Sequence, residues 1–236
     1  MSVLAVTGTG TEVGKTIVTA AIAALCPDVV TVLKPAQTGL PLDAPGDVDV
    51  VKALVPHVET LELVRYPDPL APASAARRSG IPTLAVDEVA EGIKEADADL
   101  VLLEGAGGLL VRLSDDPVVT FADLLVALQA PAVLVTTPGL GTLNHTALTL
   151  EAMRNRGIDV AGVVIGAWPK EPDLASVSNL EDLELLIGGP LAGALPAGIG
   201  ELPPKAFEEV AARSLSPRFG GTFEADRFVA RSKGLQ

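Results

Sequence analysis

Val3-Leu4-Ala5-Val6-Thr7-Gly8-Thr9-Gly10-Thr11-Glu12-Val13-Gly14-Lys15-Thr16 runs from a short aliphatic stretch into a turn of Gly and Thr and ends on Gly-Lys-Thr. Val3 to Val6 reads as a strand, and Lys15 to about Leu25 as a helix. A glycine-rich turn between the two exposes consecutive backbone N–H groups at the positive end of a helix dipole, which suits phosphate. Lys15 is placed to reach the outer phosphates of a nucleotide, and Thr16 to offer its hydroxyl to Mg²⁺. Against the general pattern G-x-x-x-x-G-K-[ST] the loop is one residue long, because Thr9 to Val13 separate Gly8 from Gly14. A dinucleotide-binding turn is the rival reading. Gly8, Gly10 and Gly14 loosely echo its glycines, but Gly-Lys-Thr is foreign to it and Asp28 is a poor ribose acid.

Beyond this stretch, short apolar runs keep alternating with amphipathic ones. Strands are predicted at Val29 to Leu33, Leu100 to Leu103, Ala132 to Thr136, Val160 to Ile165 and Leu191 to Leu195. Helices are predicted near Val48 to Leu54, Val86 to Ala96, Phe121 to Leu128, Thr142 to Arg156 and Leu180 to Leu186. That order implies an α/β fold with a doubly wound, mostly parallel sheet and helices on both faces. No linker divides the chain, so residues 1–236 are expected to form one domain. The loops Pro35 to Gly46, Gly105 to Pro117 and Pro196 to Pro204 each follow a predicted strand, at the edge where open α/β sheets hold ligands.

Composition narrows the partners. Aromatic residues are only 3% of the 236, and Val, Leu and Ala supply the apolar content, as a buried parallel sheet requires. A formal net charge of −13 repels nucleic-acid backbone and anionic membrane, and no apolar stretch is long enough to span a bilayer. The start of the chain has no basic residue ahead of its glycine-rich turn, and Cys26 is a single cysteine. A cytoplasmic protein without a secretion signal is therefore expected.

Four further side chains carry candidate chemistry. Glu104 closes the aliphatic strand before Gly105-Ala106-Gly107-Gly108, where a carboxylate could hold Mg²⁺ and the loop has little bulk to obstruct a ligand. Lys34 closes the second strand, where an ammonium could stabilise charge on a transferred phosphoryl group. Asp47 and Asp49 open a helix that either could cap. His57 reads as a surface residue, and His145 as a capping or packing residue near a helix start. Trp168 and Tyr66 form no aromatic series for stacking bases.

In combination these motifs resemble the dethiobiotin synthetase family of P-loop enzymes. The resemblance extends over most of the chain, through the long-spaced loop Gly8 to Thr16, Lys34-Pro35 with Thr38-Gly39, Pro69-Leu70-Ala71-Pro72-Ala73, Glu104 to Gly108, and Gly141-Thr142-Leu143-Asn144-His145. It implies formation of a cyclic urea from 7,8-diaminononanoate, CO₂ and ATP through a phosphorylated carbamate. Lys15, Lys34 and Thr11 would be catalytic. Glu12, Val13, Gly14, Lys15, Thr16 and Ile17, with Gly166, Ala167, Pro196, Ala197 and Gly198, would bind the nucleotide. Thr38, Gly107 and Gly108 would meet the substrate, as would Gly141, Thr142, Leu143 and Asn144 from the partner of a homodimer. Thr16, Asp49 and Glu104 would hold Mg²⁺, with Asp47 the alternative to Asp49. Members that read adenine often carry an asparagine after the fifth strand, whereas this chain has Ile165-Gly166-Ala167-Trp168-Pro169. Base preference is accordingly expected to be relaxed, admitting CTP.

Two other classes share the loop. An amide-forming synthase of the cobyrinate type would normally add a glutaminase domain with a nucleophilic cysteine, whereas Cys26 sits in the first predicted helix. A partition-type ATPase switch carries an extra early lysine where this chain has Thr9-Gly10-Thr11.

Overall fold

The computed structural model describes residues 1–234. Its chain begins with β1 (Ser2–Gly8), which feeds the glycine-rich turn and α1 (Lys15–Leu25), and returns as β2 (Val30–Thr38). There follow α2 (Asp47–Leu54), β3 (Glu59–Tyr66), α3 (Pro72–Ser79), α4 (Val86–Glu95) and β4 (Leu100–Glu104). A hairpin of β5 (Arg112–Asp115) and β6 (Val118–Thr120) leads to α5 (Phe121–Leu128), β7 (Ala132–Thr136), α6 (Thr142–Asn155) and β8 (Val160–Trp168). The chain continues through α7 (Leu174–Ile187), β9 (Gly193–Pro196), α8 (Pro204–Ser214) and α9 (Ala225–Ser232).

Seven strands form one sheet in the order β3-β2-β4-β1-β7-β8-β9, every pair parallel, while β5 and β6 pair antiparallel by themselves. Both faces are covered, and the side-chain period of two sorts them. Val6, Leu102, Val133 and Val135 pack with α1, α2 and α8 on one face. Ala5, Val101 and Leu103 meet α4 and α5 on the other, where Leu134 and Val163 meet α6 and α7. Each fully buried leucine in these layers contributes about 1.5–3 kcal/mol by leaving water, so the aliphatic strands themselves hold the sheet together.

The doubly wound parallel architecture expected from the sequence is present, with differences at particular elements. Glu59–Tyr66 is a seventh sheet strand that periodicity did not predict. It lies at the edge, partly exposed, and its Glu59, Glu62 and Arg65 interrupt the aliphatic signal. The helices α3, α8 and α9 and the β5–β6 hairpin were likewise not predicted. Lys34 does not close its strand, because β2 continues through Pro35 to Thr38. The reason is one-sided pairing. β2 bonds to β4 only from Val30 to Leu33 and to β3 as far as Thr38, so Pro35 falls where one flank of the strand is free. Beyond Leu33, β2 and β4 separate, and the crevice between their carboxyl ends lies beside the turn after β1.

Candidate active site

α1 begins on Gly14, whose φ of 96° is left-handed, and no side chain caps the helix, so its first N–H groups face the turn. A Cβ on Gly14 would come within 2.7 Å of the Gly166 carbonyl oxygen, and one on Gly166 would strike the Val13 carbonyl. The phosphate loop therefore rests directly on the backbone of β8. Gly166 is buried beneath the loop, and only Ala167 beyond it is exposed.

Lys15 is 7% exposed and donates from Nζ to the Gly10 carbonyl at 2.9 Å, so its ammonium lies across the mouth of its own loop. Burial, and then the nearby Lys34 charge, pull its pKa down to about 8 against the opposing influence of Glu104 and Asp47. Thr16 Oγ1 donates to Glu104 Oε1 at 2.9 Å. The same carboxylate oxygen accepts from Lys34 Nζ at 2.7 Å, and that ammonium also reaches Asp47 Oδ2 at 2.6 Å. Burial weakens the charge on Lys34, but Glu104 and Asp47 together outweigh it and hold its pKa above the ordinary value.

The second carboxylate at this centre is that of Asp47. Asp49, which the family resemblance assigned to the metal, turns its Oδ2 back to accept the Gly46 N–H at 2.7 Å and so caps α2. Only one of the two acids can hold the cap while the other faces Lys34. Thr16, Glu104 and Asp47 form a set of hard oxygen donors carrying two negative charges around one ammonium, which fits Mg²⁺. No group of three or more His, Cys, Asp or Glu side chains suited to a metal occurs among the described residues. An ion here would need phosphate oxygens to complete its shell.

Two adjoining cavities meet at these groups. The smaller, about 390 Å³, holds Lys15, Thr16, Ile17, Lys34 and Glu104 against the loop. The larger, about 1020 Å³, extends past Gly107 and Gly108 to Leu70, Pro72, Leu110, Leu148 and Thr149. Thr11, Glu12, Gln37, Thr38 and Asp47 border both. Glu12 has a φ of 56°, uncommon for a residue with a side chain.

Other predicted positions lie apart. Pro196, Ala197 and Gly198 form an exposed ledge, tied to β8 by Ala197 N–H donating to the Trp168 carbonyl at 2.8 Å, and a Cβ on the nearby Gly200 would meet Ile17 at 2.7 Å. Gly141, Thr142, Leu143 and Asn144 start α6 but line neither cavity of their own chain. The Thr142 hydroxyl is turned inward, bonded to Thr136 Oγ1 at 2.7 Å and to the Thr137 carbonyl at 2.5 Å. Thr142 is buried and its N–H donates to the Gly139 carbonyl at 3.2 Å, so the N–H groups left to meet a ligand at this helix start are those of Leu143 and Asn144. The next two turns of the same helix, through Leu148, Thr149 and Ala152, wall the larger cavity instead. Sequence reading missed these residues and Gln37. The i, i+1, i+4 spacing of Leu148, Thr149 and Ala152 on one helix face was the available signal, and the structure leaves Leu148 more than half exposed there.

A phosphate loop at the carboxyl end of the central strand of a doubly wound parallel sheet defines a P-loop NTPase-like protein. Residues 2–199 match a family model described as an AAA domain. The septum site-determining protein MinD of Pyrococcus horikoshii, solved with Mg-ADP, aligns with a TM-score of 0.56 at 16% identity, covering 100% of this chain and 96% of that one. A ParA family ATPase from Chlorobium tepidum aligns with a TM-score of 0.56 at 14% identity, covering 100% and 98%. At such identities the likeness shows the fold alone. An ATP-dependent dethiobiotin synthetase of Parafrankia sp. is 58% identical over 98% of this chain and 99% of its own length. One from Streptomyces avermitilis is 54% identical over 98% of each, and one from Mycobacterium sp. 46% over 93% and 98%. The chain belongs to the ATP-dependent dethiobiotin synthetase family.

Proposed function

We propose that the protein closes the ureido ring of dethiobiotin from 7,8-diaminononanoate, CO₂ and ATP, releasing ADP and phosphate. The observation that carries the reading is the convergence of Lys15 and Lys34 where the cavity against the phosphate loop opens into a larger one of mixed apolar and polar lining. One amine of the diamine takes up CO₂ as a carbamate and loses a proton. A carbamate oxygen then attacks the γ-phosphorus, giving a carbamic–phosphoric anhydride and ADP. The second amine attacks the carbonyl carbon, the ring closes, and phosphate leaves.

The chain's part is alignment and charge neutralisation, which carry phosphoryl transfer. Lys15 and the loop N–H groups would hold the triphosphate. Lys34 would pass from its carboxylates to the carbamate and γ-phosphate oxygens, flanked by Thr11 and Thr38. Thr16, Glu104 and Asp47 would hold Mg²⁺, which supplies charge to the phosphate oxygens when bound. Neither histidine lines either cavity, consistent with chemistry that needs no strong general base. The start of α6, through the N–H groups of Leu143 and Asn144, would meet the diamine's carboxylate across a homodimer. The reaction is proposed to run in the cytoplasm.

Base preference is proposed to be relaxed, because the exposed Ala167 and the ledge at Pro196, Ala197 and Gly198 offer a base only backbone groups and small side chains. Comparing affinities for ATP, CTP and GTP tests this, and strict selection of ATP overturns it. The activity is tested by incubating the protein with the diamine, bicarbonate, Mg²⁺ and each triphosphate. The cyclic urea is the expected product by mass spectrometry, and its absence with every triphosphate overturns the reading.

A further inference from the structure

Asp47 stands at the first position of α2, at the end of a loop from Gly39 to Gly46 that contributes no strand or helix. Its side chain is about a third exposed, whereas its partner Lys34 is buried. That pair is also the one the proposed reaction must break when Lys34 turns to the substrate. Something other than Lys34 has to keep the carboxylate in place.

Gln37 holds the Asp47 backbone from beneath. It is 5% exposed on the part of β2 that has left β4, and its Oε1 accepts the Asp47 N–H at 3.0 Å while its Nε2 donates to the Thr38 carbonyl at 3.2 Å. Arg65 lies opposite Gln37 in the β2–β3 register. Its guanidinium is held by Glu62 through bonds of 2.6 and 2.7 Å, and its Nη1 donates to the Pro41 carbonyl at 3.2 Å and to that of Ala44. The two side chains converge on Gly46, where a Cβ would lie 2.6 Å from Arg65 Nη2, 2.9 Å from Glu62 Oε2 and 3.2 Å from Gln37 Oε1. Among the described residues, the backbone on both sides of the Gly46–Asp47 peptide is therefore clamped by groups that form no hydrogen bond or ion pair with the phosphate loop or Lys34.

We propose that Gln37 and Arg65 are positioning residues that fix the Asp47 carboxylate and thereby set the divalent-cation affinity of the site. The inference rests on the metal reading given above. An edge strand with charged side chains thus has a task in the centre of the protein, exerted through the loop that it holds. Partners that orient a metal-binding carboxylate typically change metal affinity about 10- to 100-fold when removed.

The test measures Mn²⁺ binding to the full chain with saturating ADP, by electron paramagnetic resonance or calorimetry, without turnover. Gln37→Met keeps the bulk and deletes the acceptor, and Arg65→Met deletes the loop bonds; each is expected to weaken Mn²⁺ about tenfold. Asp47→Asn is expected to weaken it as well. Adding Gln37→Met to Asp47→Asn should then cost less than about twofold more, because the glutamine acts through that carboxylate. A general loosening of the fold would instead add its full loss on either background. Unchanged Mn²⁺ affinity in Gln37→Met, or full additivity with Asp47→Asn, overturns the proposal and leaves the metal reading standing. Unchanged affinity in Asp47→Asn takes both down. Should Arg65→Met fail to fold, the Gln37 and Asp47 cycle decides alone.

Discussion

Lys34 Nζ lies 2.7 Å from Glu104 Oε1, on the same oxygen that takes the Thr16 hydroxyl. Both side chains are buried, at 3% and 1% exposure, so the ammonium fills the place between carboxylates that a bound cation would contest. The pair joins β2 to β4 across 70 residues of sequence. Metal and lysine cannot both own that oxygen at full strength. Entry of the ion and departure of Lys34 toward a substrate anion are therefore expected to favour each other.

Removing the lysine should separate chemistry from folding. Lys34→Ala is expected to lower cyclic-urea formation by about 10²- to 10³-fold, the loss typical of one electrostatic group in a transition state. The variant should fold, yet it leaves Glu104 buried without its cation, a change that costs about 3–5 kcal/mol. Mg²⁺ should restore more stability to Lys34→Ala than to the parent protein. Melting curves with and without Mg²⁺ check this, and undiminished product formation would refute the catalytic assignment.

Lys15 gives the pH dependence. Its pKa of about 8 in the unliganded fold lies below the ordinary 10.5, so between those values the unfolded chain binds more protons and stability of the free protein gains with rising pH. Below pH 8 the charged, desolvated lysine is a cost to the fold. A bound polyphosphate favours the ammonium, so ADP affinity measured without metal should fall as pH rises past 8, with proton uptake on binding. Calorimetry in two buffers of different ionisation enthalpy reads that uptake directly. Proton release at pH 8.5, or affinity unchanged from pH 7 to 9, would contradict the assignment.

Gly166 was expected to touch the nucleotide, and its position beneath the loop makes a different prediction. Gly166→Ala would press a methyl group into the Val13 carbonyl and to 3.1 Å from Gly14 Cα, so the phosphate loop must move. Overpacking of this kind costs about 1–3 kcal/mol, or roughly a 5- to 150-fold loss in ADP affinity if the bound conformation bears it. Gly189→Ala, where an added Cβ meets nothing within 4 Å, is the neutral comparison. Equal ADP affinities for the two variants would remove the loop from the explanation.

What the sequence disclosed, and what it hid, follows from range. The turn from β1 to α1 was legible because its strand, glycines and Lys15-Thr16 are contiguous and each residue type has a local physical reason. The pairing of Thr16 and Lys34 with Glu104 depends on β4 returning between β2 and β1, a crossover no local pattern encodes. Asp47 and Asp49 looked interchangeable because both open α2. Which one caps and which one faces Lys34 is decided by Gln37 reaching the Asp47 N–H and Asp49 reaching that of Gly46. β3 escaped notice for the opposite reason. Two of the charged residues that make it a poor aliphatic strand, Glu62 and Arg65, are the ones that hold the loop ahead of Asp47.

The loop between β7 and α6 supplies the last test. Asn179 on α7 is 7% exposed and donates from Nδ2 to the Pro138 and Gly139 carbonyls at 2.8 and 3.0 Å. From the other side, Thr136 Oγ1 meets the hydroxyls of Thr142 and Thr146 at 2.7 and 2.8 Å, which ties the first turns of α6 to the end of β7. Asn179→Leu removes both N–H bonds and strands the Pro138 carbonyl oxygen, while the Gly139 carbonyl keeps only the Thr142 N–H at 3.2 Å, a loss of about 1–3 kcal/mol. Each kcal/mol should lower the melting temperature by roughly 2–4 °C in a protein of this size. Because the start of α6 is proposed to meet the diamine from the partner subunit, KM for the diamine should rise while KM for the nucleotide holds. A melting shift with both KM values unchanged would confine Asn179 to stability and remove the α6 start from substrate binding.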